Sequence, residues 1–300
     1  MPSTLPTDEP AAVPCPGGLY VVATPIGNLE DITVRALRIL KTVALIAAED
    51  TRHTARLLAH YHIRTPLISC HEHNEQQRTD VLIEKIRAGM AVALVSDAGT
   101  PSVSDPGYRL VRATIAAGLD VFPVPGVSAA ITALSAAGLP TDMFTFVGFA
   151  PKKKGRRDAL LQSLAGEPRT LIFYESPHRI IDFLADLQRA MGDRQAVLAR
   201  EMTKLHEEFV RGTLSQLAAS LKQRSEIKGE CTLLVGGAPS AESIGMGDLA
   251  DRLREALADP DARLSGVAKE VARKYQLPRK TVYELALKVR HEMRQGEEKR

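Results

Sequence analysis

The chain has no apolar run approaching the ~20 residues needed to span a bilayer, and nothing in it reads as a membrane helix. Its first 17 residues lack both the basic segment and the apolar segment of a secretory signal. They are Pro-rich, carry Asp8 and Glu9, and read as a disordered lead-in. Cysteine is scarce: Cys15, Cys70 and Cys231 are odd in number and widely spaced. That argues against a disulfide framework and fits a reducing cytoplasm. There is no C-x-x-C and no H-E-x-x-H, and no G-x-G-x-x-G follows a strand-like run. The net charge is only +3, so where the charge sits says more than its sum.

What is present is an ordinary α/β composition, 44% apolar and 25% charged, over a length that suits roughly two domains with a small third. From Gly18 to about residue 140, the runs 19–23, 43–47, 66–69, 91–95 and 120–123 read as strands. Helical patterns over 33–40, 51–61, 74–88 and 106–117 lie between them. Each return is long enough for a crossover, so this sheet is expected to be mainly parallel. A second block, 141–237, is expected to hold strands 144–147, 169–173, 196–200, 208–211 and 231–235, with helices 156–164, 177–190 and 213–222. The short spacing from Arg200 to Glu208 permits a hairpin, so the second sheet is expected to be mixed. Residues 238–247 read as a linker, 248–294 as a helix-turn-helix-like unit and 295–300 as a frayed tail.

Three strand-then-loop segments carry the chemistry. The most informative is Ser96-Asp97-Ala98-Gly99-Thr100-Pro101-Ser102-Val103-Ser104-Asp105-Pro106-Gly107, after the apolar run Ala91–Val95. Its Asp105-Pro106 reads as a helix N-cap followed by proline at the first helical position. The others are the segment around Thr24-Pro25-Ile26-Gly27-Asn28 and the segment Pro125-Gly126-Val127-Ser128-Ala129-Ala130. Loops at the carboxyl ends of parallel strands are where open α/β sheets bind ligands. A plain connector would have the same composition at any one of them; three in order would line one crevice.

Together these loops resemble the tetrapyrrole (corrin/porphyrin) methylase superfamily, which binds S-adenosylmethionine without the usual glycine fingerprint. Four further segments, Ala48–Thr54, His71–Asn74, Phe173–Arg179 and Arg200–Glu207, resemble its 16S ribosomal RNA cytidine 2′-O-ribose methyltransferase branch, and the match runs from about Gly18 to Gly237. The resemblance implies a donor held between the two domains, a homodimer, and a cytidine in the decoding region of 16S rRNA on the 30S subunit. It places Pro25, Asp97, Gly99, Thr100, Pro101, Ser128, Ala129, Tyr174 and Met202 at donor-contact positions. It implies no metal.

A ribose hydroxyl needs a proton acceptor or electrostatic activation. The candidates are Glu49, Asp50, His53, Asp105, Glu175, His178, Glu201, Lys204 and His206, and the sequence does not choose among them. Arg200 and Lys204 could hold phosphates or a developing oxyanion. His71 and His73 would share one face of an extended segment, a pattern compatible with a metal but more simply with packing or acceptor contact. The cluster Lys152, Lys153, Lys154, Arg156 and Arg157 suits a polyphosphate backbone, as do Arg52 and the tail residues Arg273, Lys274, Arg279 and Lys280. Two rivals stay open at this point: methylation of a corrin or siroheme precursor, and a metabolite-sensing DNA-binding regulator.

Overall fold

The computed structural model describes residues 15–238, 246–259, 262–275 and 277–297. Of the segments expected to be irregular, 1–14, 239–245 and 298–300 lie outside the described residues. The first half runs β1 (Gly18–Val22), α1 (Val34–Thr42), β2 (Leu45–Ala48), α2 (Thr51–His60), β3 (Leu67–Ser69), α3 (Glu75–Arg87), β4 (Ala91–Val95), α4 (Tyr108–Ala116), β5 (Val121–Val124) and α5 (Ala129–Ala137). Its sheet is wholly parallel, in the order β3-β2-β4-β1-β5. Every residue of β4 is buried, because both faces of the sheet are covered; that is why it reads as an unbroken apolar run.

The second half runs β6 (Phe144–Phe149), α6 (Lys154–Ser163), β7 (Thr170–Glu175), α7 (Ile180–Met191), β8 (Gln195–Arg200), β9 (Glu208–Thr213), α8 (Leu214–Lys222) and β10 (Cys231–Val235). The order is β6-β7-β10-β8-β9, with β6–β7 parallel and the other pairs antiparallel. Side chains alternate across this sheet as the pleat requires. Leu171 and Phe173 pack with Ile180, Phe183 and Leu217 of the flanking helices. Ile172, Val197 and Leu234 point the other way, onto Ala130, Ala133 and Leu134 of α5.

Helix α5 therefore follows the last strand of the first sheet yet packs on the second. Its alanines leave the backbone close to the strands. Both ends are tied: the Ala130 amide donates to the Tyr174 hydroxyl (3.1 Å), and Arg211 Nη2 donates to the Ala136 carbonyl (2.6 Å). A guanidinium on the last carbonyls also suits the negative end of the helix dipole.

Several local expectations change. Pro106 does not open α4. Gly107, at φ 126°, precedes the helix without a side-chain cap of its own. The amides of Gly107, Arg109 and Leu110 point instead at one carboxylate oxygen of buried Glu75, from α3 (3.1, 3.0 and 3.4 Å). Likewise Pro177 lies ahead of α7, which starts at Ile180. Residues 15–17, grouped with the lead-in, are tied down: Cys15 Sγ lies 2.9 Å from Thr42 Oγ1, and the Tyr20 hydroxyl donates to the Pro16 carbonyl.

The C-terminal helices are α9 (Met246–Leu257), α10 (Leu264–Lys274) and α11 (Arg279–Glu297). They share an apolar core of Leu253, Ala268, Val282 and Ala286. Helix α9 begins inside the segment read as a linker, and α11 continues through residues 295–297, read as frayed.

Replacing fully buried Ala133 with leucine forces extra methylenes between α5 and the second sheet. The expected cost is about 1–3 kcal/mol, read as a lowered urea midpoint. An unchanged midpoint would show that this seam is loosely packed.

Candidate active site

Because β4, β1 and β5 are neighbours, their carboxyl-end loops emerge side by side and can bond to one another. Thr24 and Gly99 exchange two main-chain hydrogen bonds (2.9 and 3.0 Å), and Thr100 Oγ1 donates to the Val127 carbonyl (3.1 Å). Ser102 and Ser104 sit at φ 70° and 64°, and across the cleft Glu201 and Thr203 sit at 52° and 66°. Side-chain-bearing residues held in the left-handed region cost free energy, and such positions concentrate at functional sites. Gly148, at φ 70°, bulges from β6 toward this loop; a Cβ there would stand 2.8 Å from Ser104 Oγ.

A central cavity of about 340 Å³ lies between the halves. Gly99, Thr100, Ser128 and Ala129 line it on one side, and Tyr174, Glu175 and Gly229–Thr232 on the other. Glu175 is 3% exposed. Its Oε1 accepts from the Ser176 amide at 2.7 Å. Its Oε2 stands 3.0 Å from Arg179 Nη2 but has no aligned hydrogen-bond donor. Burial pushes the Tyr174 hydroxyl pKa upward.

A second recess, about 330 Å³, holds Pro25, Gly27, His53, Arg56, Asp97, Lys204 and Glu230. Asp97 therefore lies beside the central cavity rather than in its wall, and its Oδ1 accepts from the Asp50 amide (3.0 Å). Lys204 Nζ bridges Glu201 (2.8 Å) and Glu230 (3.0 Å). The Lys204 hydrogen bond holds the Glu201 carboxyl below its ordinary range. Gly229 lets this arrangement form, since a Cβ there would meet Glu201 Cδ at 2.2 Å.

The third recess, about 600 Å³, lies at the loops following β3, β2 and β4, among Glu49, His71, His73, Asp105, Tyr108 and Arg109. The segment 71–74 is a turn, not an extended strand: Asn74 Oδ1 accepts from the His71 amide at 2.9 Å. The turn brings the two imidazoles to 6.0 Å between centroids. Among the described residues no group of three His, Cys, Asp or Glu could hold a metal ion. Burial, reinforced by Glu49, pushes the Asp105 carboxyl up to about 6, and burial with Asp97 also raises Glu49.

Several sequence candidates have other work. Arg200 Nε donates to Glu208 (2.6 Å), which Arg224 also holds, so Arg200 is tied into an ion-pair network. Met202 is buried in the core with Ile26 and Ala130, and Pro101 is buried inside its loop. His178 and His206 are exposed and line none of the three recesses. Arg157 is paired at 2.7 Å with nearly buried Asp186, so it leaves the basic cluster; Lys152, Lys153, Lys154 and Arg156 remain exposed. Arg52 is exposed but paired with Asp50, also at 2.7 Å. Arg279 and Lys280 are exposed at the start of α11, and the side chains of Arg273 and Lys274 lie outside what is described. Sequence reasoning missed Gly229, Glu230 and Thr232. The antiparallel insertion of β10 between β7 and β8 brings them to the cleft, and no local pattern announces that.

Two α/β halves closing on strand-end loops are the architecture of a two-domain methylase. The family model described as Tetrapyrrole (Corrin/Porphyrin) Methylases matches residues 18–218. A Synechocystis protein named ribosomal RNA small subunit methyltransferase I is 49% identical, over 91% of this chain and 98% of its own length. Its namesake from Escherichia coli O157:H7 is 50% identical, over 90% and 95%. Among solved structures, a uroporphyrin-III-C-methyltransferase from Thermus thermophilus aligns with a TM-score of 0.54 at 25% identity, covering 73% of this chain and 94% of that one. The chain belongs to the Tetrapyrrole (Corrin/Porphyrin) Methylases, in the branch of ribosomal RNA small subunit methyltransferase I.

The raised Asp105 pKa has a defined sign for stability. The folded chain binds that proton more tightly than the unfolded chain, so its stabilising contribution is full at low pH and is lost as pH rises through about 6. Asp105→Asn is therefore expected to raise the melting temperature relative to wild type more at pH 8 than at pH 4. Equal shifts at both pH values would remove the assignment.

Proposed function

We propose that this methyltransferase transfers a methyl group from S-adenosylmethionine to the ribose 2′-oxygen of a cytidine in the decoding region of 16S rRNA, presented on the 30S subunit. The observation that carries the reading is the central cavity, closed from both sides by loops of a methylase fold. Its volume falls in the range of about 300–1,000 Å³ usual for small-molecule sites. Its walls fit the donor: small Gly99 and Ala129, hydroxyl-bearing Thr100 and Ser128, apolar Ile26 and Phe149, and Glu175, which has a buried carboxylate oxygen with no aligned donor. The bound donor supplies a methyl group already activated on a sulfonium. The chain's own task is alignment, exclusion of water and removal of the acceptor's proton.

The RNA reading draws support from α6. Lys153 and Lys154 stand at its N-terminus, which has no side-chain cap, with Lys152 just before and Arg156 just after. Positive charge is unfavourable at the positive end of a helix dipole unless an anion offsets it. A phosphate backbone would. The names of the relatives at about half identity favour an rRNA acceptor over a tetrapyrrole. The homodimer rests on the family resemblance, and a cytoplasmic site of action on the scarce, widely spaced cysteines; no helix among the described residues is long and apolar enough to cross a membrane.

Methyl-labelled donor offered with undermethylated 30S subunits, free rRNA and uroporphyrinogen is expected to label a cytidine ribose in the subunits, located by nuclease digestion and mass spectrometry. Label on a base or on the tetrapyrrole would overturn the reading. Replacing Lys152, Lys153 and Lys154 together by alanine is expected to weaken subunit binding and to flatten its salt dependence, by roughly 0.7–0.9 in log–log slope for each phosphate no longer neutralised. An unchanged slope would remove the cluster from the interface. Arg157→Ala is expected to act on stability instead, at a cost below the ~3–5 kcal/mol of a wholly unpaired buried charge, because Asp186 would keep only the exposed Arg189 at 3.1 Å. Wild-type stability would show that Asp186 does not depend on it.

A further inference from the structure

We propose that Glu230 accepts the proton in the methyl transfer while Lys204 donates to the same ribose oxygen, and that the second recess, which both residues line, seats the acceptor nucleoside. This inference rests on the functional reading above and names the base and the acceptor subsite that the reading leaves open.

The central cavity and the second recess meet at Ile26, Ala98 and Glu230, which line both. An acceptor hydroxyl has to be aligned with the methyl group and deprotonated where the two chambers join. Among the described residues Glu230 is the one titratable group that lines both. Asp105 and Glu175 border the central cavity without reaching the second recess, and Asp97 does the reverse.

Both side chains keep bonding capacity in reserve. Glu230 Oε2 accepts from Lys204 Nζ at 3.0 Å, and the other carboxylate oxygen accepts no hydrogen bond among the described residues. A lysine ammonium has three N–H donors. Lys204 uses two, on Glu201 and Glu230, which leaves one for an oxygen in the recess. Burial works against the charge, but those two hydrogen bonds hold the ammonium above its ordinary range. Lys204 is therefore a cation and a donor, and the proton falls to Glu230.

The chain accepts strain to place this pair. Glu201 and Thr203 hold left-handed conformations, of the kind that collects at functional sites. The Glu201 amide donates to the Glu230 carbonyl (3.1 Å), and the Glu230 amide returns a bond to Glu201 Oε1 (3.0 Å). From the first half, the Asn28 amide donates to Thr203 Oγ1 at 3.0 Å. A Cβ at Gly27 would stand 2.5 Å from Lys204 Cγ, so a side chain there would push the ammonium out of place.

The recess also has the chemistry of a nucleotide seat. Exposed His53 and Arg56 of α2 line it, and Arg56 has no ion pair among the described residues. Pro25, Leu29 and Leu57 add apolar surface. Sequence-specific RNA recognition works on splayed-out nucleotides, whose bases need such surface and whose phosphates need a cation. In the step, the ribose oxygen forms the new C–O bond as the C–S bond of the donor breaks with its electron pair staying on sulfur. The hydroxyl proton passes to the free Glu230 oxygen and then to water. Lys204 stabilises the negative charge as it develops on the ribose oxygen.

Single-turnover transfer to undermethylated 30S subunits, at saturating donor, tests the pair. In Glu230→Gln the amide oxygen still accepts from Lys204, so the bridge survives and only the proton acceptor is lost. The rate should fall about a hundredfold or more, while the melting temperature and the calorimetric affinity for S-adenosylmethionine stay near wild type. Lys204→Met should also lose rate, and Lys204→Arg should recover part of it. Arg56→Ala should raise KM for subunits and lower the log–log salt slope of their binding by roughly 0.7–0.9, with donor affinity unchanged.

A near-wild-type rate in Glu230→Gln, or a loss matched by an equal loss of donor affinity, overturns the base assignment. A Lys204→Arg rate no better than that of Lys204→Met overturns the role given to the ammonium. An unchanged KM and slope in Arg56→Ala overturn the seat. A wild-type protein that labels no ribose overturns the functional reading and this inference with it.

Discussion

The seating of α5 on the second sheet is the contact on which the rest depends. The helix leaves the loop after β5 and carries no buried side chain larger than leucine, so its backbone lies close to β7, β8 and β10. That closeness brings Ser128 and Ala129 to Tyr174 and Glu175. It also sets how far the first sheet's loops stand from the second sheet's edge. Hydrogen bonds at both helix ends fix its slide and rotation. A bulkier helix would open the cleft, and the loops would then face solvent instead of each other.

Around that seam, charge is used mostly for structure. The Arg200–Glu208–Arg224 network, the Arg157–Asp186 pair and the Lys204 bridge each satisfy ionised groups that are partly or largely buried. Removing one partner of such a pair costs more than the pair contributes. Other groups differ: Asp105 and Glu49 are raised by burial, hold hydrogen bonds from the Ser96 hydroxyl and the Asp97 amide, and have no ion pair among the described residues, while exposed lysines stand at the start of α6. Exposure of like charges fits a polyanion from outside.

Much of the fold was legible because each sheet leaves a periodic trace. Unbroken apolar runs marked the parallel strands, and Arg200 to Glu208 marked the hairpin that makes the second sheet mixed. The loops of the site were legible from their small residues. What escaped reading depends on partners distant in sequence. Asp105-Pro106 has the local look of a helix cap, but the cap comes from Glu75, packed across from another helix. Arg157 looks like one more charge in a run until Asp186 is found beneath it. Glu230 and Thr232 enter the cleft through the antiparallel pairing of β10 with strands that precede it by dozens of residues. His71 and His73 come together through a turn set by Asn74, not through strand alternation.

Ile26, Ala98 and Glu230 form a wall with a chamber on each side. Whatever leans on one face of such a wall alters the footing available on the other, and this influence runs equally in both directions. Any tightening that the first occupant confers on the second is returned by the same factor. The order of arrival can then change how fast the two meet, but not how firmly the completed pair is held.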